Sequence, residues 1–296
     1  ALVAPCVGQI STKAVTANPT KGIVGCDGNF QADLVCDGAD SKGMALGSAK
    51  IAGQVACTWD FSSPGAGNVG SISAGLGTAA AWTLSAAHSN VKSIDSKAGD
   101  LGGTWEALTI GKISTKADFL ASVTAWGVDA RKGVSVGSLK AAAARGARLV
   151  AAGEVSGLML AESHGSDFLA GVVPGRIAPG QRCAAGVDDF AGVHDAPPVL
   201  RGIKTLKISG RKIASDDASR FVTDSHFTAA VFGVVSLTNA ETGGSCCLHV
   251  LDDGRADSNG VGTLQNKDTY YRDRNWTCRS GQGALWVGTV DVSEVS

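Results

Sequence analysis

Ile10-Ser11-Thr12-Lys13-Ala14 returns letter for letter as Ile113-Ser114-Thr115-Lys116-Ala117, 103 residues further on. A third Lys-Ile-Ser follows at Lys207-Ile208-Ser209, 95 residues later, and the sequence closes on Glu294-Val295-Ser296. A second landmark keeps a similar step. Cys57-Thr58-Trp59-Asp60-Phe61, Gly157-Leu158-Met159-Leu160-Ala161 and Cys247-Leu248-His249-Val250-Leu251 each precede a turn-rich run, at offsets of 100 and 90 residues. Landmarks that drift together predict three related modules, at 1–109, 110–200 and 201–296. Repeated modules favour rods, shells or binding arrays over one catalytic cleft.

Composition supports a folded chain. Of 296 residues, 18% are charged and 44% hydrophobic, with a net charge of −1, a globular balance. Near-neutral charge gives no electrostatic case for nucleic acid. The densest basic run, Lys204, Lys207, Arg211 and Lys212, alternates and predicts one solvated strand face. No stretch reaches the roughly 18 apolar residues of a membrane span.

Period-2 alternation dominates, as in Lys50 to Phe61, Trp105 to Ser114 and Leu285 to Ser293. Turn pairs such as Asp27-Gly28, Asp37-Gly38 and Pro64-Gly65 separate the strands. The expectation is a mainly β protein of tandem β-sandwich-like modules. One helix is expected near 138–152. Ser138 caps it, Ala141 to Ala144 favour it and Gly153 ends it.

Eight cysteines, Cys6, Cys26, Cys36, Cys57, Cys183, Cys246, Cys247 and Cys278, form an even set. That predicts disulfides and a secreted or externally displayed protein. It leaves open whether the N-terminus follows signal cleavage or Met removal. Asn275-Trp276-Thr277 is an N-glycosylation sequon.

Three groups of side chains suggest sites. Trp82-Thr83-Leu84-Ser85-Ala86-Ala87-His88-Ser89 resembles the histidine motif of chymotrypsin-like serine proteases. Ile23-Val24-Gly25 is similar to that family's mature start. The resemblance implies His88 as base, Asp118 as its orienting acid and Ser245 as nucleophile. The family's Gly-Asp-Ser-Gly-Gly motif is missing, and Ser89 stands where the family has Cys. Asp252, Asp253 and Asp257 sit in one acidic loop, a calcium candidate and equally a set of hairpin formers. Trp276 with Tyr270 and Tyr271 suggests a patch on which a glycan could stack. The leading expectation is a non-enzymatic, self-assembling structural protein of an extracellular layer, filament or virus-like shell. The alternatives are a secreted serine hydrolase and a carbohydrate-binding array.

Overall fold

The computed structural model describes residues 1–195, 199–210, 221–238, 242–243, 247–251, 261–267, 276–279 and 291–295. For 242–243, 247, 261–267, 276–279 and 291–295 only the backbone is considered. Strand makes up 52% of the chain, and helix is almost absent. The chain divides into two compact units, Ala1–Trp126 and Gly127–Ser296.

The predicted β content is present, but tandem sandwiches are not confirmed. A sandwich needs antiparallel sheets, whereas among the described residues the strand pairings within each unit are parallel, apart from Val261–Lys267 with Trp276–Arg279. In the first unit each strand pairs with the strand one turn later. One column runs Leu2, Leu34, Trp59, Leu84, Trp105, Val123. A second runs Ile10, Ala49, Ile72, Ile94, Ile113. A third runs Phe30, Val55, Thr78, Leu101, Phe119. Three ladders per turn make this unit a parallel coil, each turn hydrogen-bonded to the next.

The exact repeat now has a physical meaning. Ile10 and Ile113 occupy the same column, four turns apart. The true period from Leu34 onward is 18 to 25 residues. The second landmark has no such equivalence. Leu158 pairs with Leu206, while Leu248 pairs with Phe227 on a different ladder. Position 109 lies inside the strand Thr104–Ser114, and the strand Ile203–Ile208 pairs back to Leu158–His164 across position 200.

Inward residues fill the coil. Phe30, Trp59, Trp82, Trp105 and Phe119 form an edge-to-face series with centroids 5.4 to 6.0 Å apart, a favoured aromatic geometry. Trp59, Trp82 and Trp105 are wholly buried. Outside, polar side chains bond from turn to turn. Asn68 Oδ1 accepts from Asn90 Nδ2 at 2.9 Å, and Thr109 Oγ1 donates to Asn90 Oδ1 at 2.7 Å.

The expected helix is corrected. Leu139–Arg145 and Arg148–Ala151 are strands. Leu139, Ala141 and Ala143 are buried while Lys140 and Ala142 are exposed. This is period 2, and Leu139 to Arg145 pairs in register with Leu158 to His164. Alanine's helix preference is less than about 1 kcal/mol per residue, and burial against a neighbouring turn outweighs it. Gly146, at φ +58°, makes the turn between the two strands.

The second unit is also a parallel coil. Leu149, Phe168, Phe227 and Leu248 form one column, with Phe168 and Phe227 stacked at 5.4 Å. Between Ala170 and Ile203 the chain leaves the coil. It returns after covering Val150, Leu169, Ala230 and Leu251 with Val172, Ile177, Ala184 and Phe190.

Candidate functional site

The sequence-derived site residues scatter. His88 lies exposed on Thr83–Ser96, between the first and second ladders. Asp118 precedes Phe119 on the third ladder, and its N–H donates to Asp100 Oδ1. Ser245 lies outside the described residues, so no catalytic trio is assembled among those described. Trp82, the signature tryptophan of the protease resemblance, belongs to the core series. Ile23-Val24-Gly25 lies on an exposed hairpin.

Asp252, Asp253, Asp257, Tyr270 and Tyr271 lie outside the described residues, as does the side chain of Trp276. No group of three or more metal-ligating side chains occurs among the described residues. Cys6, Cys26, Cys36, Cys57 and Cys183 form no disulfide among the described residues. Cys246 and the side chains of Cys247 and Cys278 fall outside the description. No described helix is long and apolar enough to cross a membrane.

What the fold does bring together is a basic cleft of about 520 Å³ in the second unit. It sits at the corner leading into the face made by Val134–Val136, Glu154–Val155, Ile203–Ile208 and Phe232–Thr238. Arg131 and Lys132 come from a tight loop. Asp129 Oδ1 accepts from their backbone N–H groups at 3.0 and 2.9 Å, and Gly133 N–H donates to Asp129 O at 2.8 Å. Arg201 and Lys204 come from the entry to the Ile203–Ile208 strand. Gly133 has φ +68°, and a Cβ there would lie 2.7 Å from Arg201 Nε. The missing side chain therefore seats the guanidinium against the loop.

Among the described residues, no carboxylate lies within ion-pair distance of the cations in this cleft. Six arginines of this unit have described side chains. Arg145, Arg148, Arg176 and Arg182 each meet a carboxylate. Arg131 and Arg201 have no carboxylate partner among the described residues, and neither do Lys132 and Lys204. One carboxylate lines the cleft, Glu154, whose Oε1 accepts from Ser156 Oγ at 2.6 Å. Sequence reading placed Lys204 on a solvated face and passed over the other three. Their trace is two basic-glycine pairs, Lys132-Gly133 and Arg201-Gly202.

A second polar corner clamps the excursion to the coil. Arg182 donates to Asp167 Oδ1 at 3.0 Å and to Asp224 Oδ1 at 2.8 Å. Next to it, His226 and His249 stack at 5.2 Å with Nδ1 and Nε2 2.9 Å apart. One ring must present a lone pair to the other's N–H, which disfavours two protonated rings. Burial, then the charge of His226, holds His249 down to about 4. Burial, then Arg182, lowers His226.

His249 thus takes up its proton in the unfolded chain before the folded one. Its contribution to stability is full above the ordinary histidine range near 6.5 and is lost as pH falls toward about 4. The urea midpoint should fall between pH 7 and pH 4.5, and His249→Gln should fall less. Equal falls would refute the assignment.

A scan against protein-family models finds no match to this chain, and searches of the curated proteins and of the solved structures find none either.

Proposed function

We propose that this chain is a non-enzymatic structural protein that assembles with copies of itself outside the cytoplasm. The observation that carries the reading is the hairpin from Val15 to Cys26. Val15 bridges Cys26 and Asn18 bridges Ile23, so the backbone is ordered. Yet eleven of its twelve residues are exposed and none is buried. Val15, Ile23 and Val24 are among them, Val24 at 86%. Ordered, exposed apolar surface with extended edges favours association. A symmetric pair of antiparallel hairpins satisfies both edges with a single kind of contact. The coil behind the hairpin is a rigid support, fixed turn to turn. An external setting rests on the Asn275-Trp276-Thr277 sequon.

Light scattering across a concentration series tests the reading. The full chain should gain mass with concentration, and Val24→Asp should remain monomeric under the same conditions. Val24 contacts no core, so the variant should unfold at the same urea concentration as the parent. A parent chain that stays monomeric throughout rejects the proposal. So does reaction of the parent with a serine-directed phosphonate, which would favour the hydrolase.

A further inference from the structure

We propose that the basic cleft of the second unit binds a small organic anion bearing a phosphate or sulfate group. This site is independent of the hairpin and of any self-association. Charge gives the first argument. Among the described residues four cations and one carboxylate line the cleft, a formal local balance of 4 − 1 = +3 in a chain whose net charge is −1. Pairing gives the second. The four other described arginines of the unit all contact a carboxylate, so Arg131 and Arg201 differ from the rest of the described arginines. Like charges held together without a counter-charge repel each other, and an anion relieves that cost.

Order gives the third argument. Asp129 fixes the loop that carries Arg131 and Lys132 through two backbone N–H groups. Gly133 lets Arg201 pack against that same loop. The loop backbone and the Arg201 guanidinium are therefore positioned before a ligand arrives, which limits the entropy lost on binding. A guanidinium presents parallel N–H donors that match the oxygens of a tetrahedral oxyanion.

Size and lining give the fourth. At about 520 Å³ the cleft falls within the range of small-molecule sites, roughly 300–1,000 Å³. Val199 and Val231 line it and are part exposed, an apolar wall for a carbon skeleton. A nucleic-acid strand would instead need a basic track extending past the cleft. Phosphate and sulfate esters share the chemistry these groups recognise, and the probes below separate them.

Isothermal titration of the full chain with glucose 6-phosphate, glucose 6-sulfate and glucose tests the proposal. Saturable binding of either ester, with none of glucose, is expected, and the tighter ester identifies the anion. Arg201→Ala and, separately, Arg131→Ala should each weaken binding about tenfold, the loss of one charge-assisted contact. Arg176→Ala, whose arginine is already paired with Asp188, should leave it unchanged. Arg131 is exposed on its loop, so its variant reports even if Arg201→Ala disturbs packing. No saturable binding of either ester, or equal affinity in Arg131→Ala and the parent, overturns the proposal. Tighter binding of a single-stranded oligonucleotide than of either ester also overturns it, in favour of a polymer groove.

Discussion

Trp82→Ala should destabilise the first unit by about 3–5 kcal/mol, the usual cost of emptying a buried large aromatic site. Trp82 is wholly buried and holds the middle of the aromatic series, 5.6 Å from Trp59 and 5.4 Å from Trp105. Alanine would leave a void between two turns that the backbone ladders hold apart, so collapse cannot fill it. Trp82→Phe should cost much less. The Nε1–H of Trp82 is buried with no acceptor among the described residues, and an unmet donor is a penalty that phenylalanine removes. Urea unfolding followed by far-ultraviolet circular dichroism provides the comparison. Equal midpoints for the alanine variant and the parent would show that the aromatic series is not what holds the turns together.

Gly70→Ala is the second large effect, about 3 kcal/mol by overpacking. A Cβ at Gly70 would lie 1.8 Å from the carbonyl oxygen of Gly47, and one at Gly47 would lie 2.3 Å from that of Gly8. Backbone, not a flexible side chain, receives the collision, so two turns must separate along a ladder of otherwise regular hydrogen bonds. The same column supplies its own control. A Cβ at Gly8 meets nothing within 4 Å, so Gly8→Ala should leave the urea midpoint unchanged or raise it. Equal behaviour of the two alanine variants would show that the close approach at Gly70 is not a constraint.

These two positions also explain how much of the fold the sequence made legible. Alternation in Trp105 to Ser114 announced a strand, because period-2 burial is local, whereas Lys50 to Phe61, expected as one long strand, turns a corner between strands that end at Ile51 and start at Thr58. The partner of each strand was not local. Trp59 and Leu84 are paired, yet their shared property is inward packing, which any large apolar residue satisfies, so turns repeat without repeating letters. Turn length varies as well, and Ile10 to Ala49 spans an excursion of exposed chain. The five-letter match at Ile10 and Ile113 joins one column four turns apart, which set the apparent period near 100 residues. Ala141 to Ala144 misled in another way. Alanine carries no pattern of its own, and its burial comes from the register with Leu158 to His164.

The cleft was legible in pieces at best. Arg131 and Lys132, then Arg201 and Lys204, lie about 70 residues apart in a chain of even charge, and parallel pairing alone makes them neighbours. The same holds for His226 and His249, which sequence reading treated as unrelated histidines and which adjacent strands set two positions out of register, where their rings stack.

Parallel coiling has a mechanical consequence. Successive turns of the first unit are joined by rows of hydrogen bonds aligned with its axis, while the covalent chain runs across that axis. Tension between its ends must therefore peel the chain off in instalments, an outer turn always yielding before the one beneath it. From Leu34 onward each instalment releases 18 to 25 residues of slack. A fibre or coat assembled from such units would stretch and recover in increments instead of snapping.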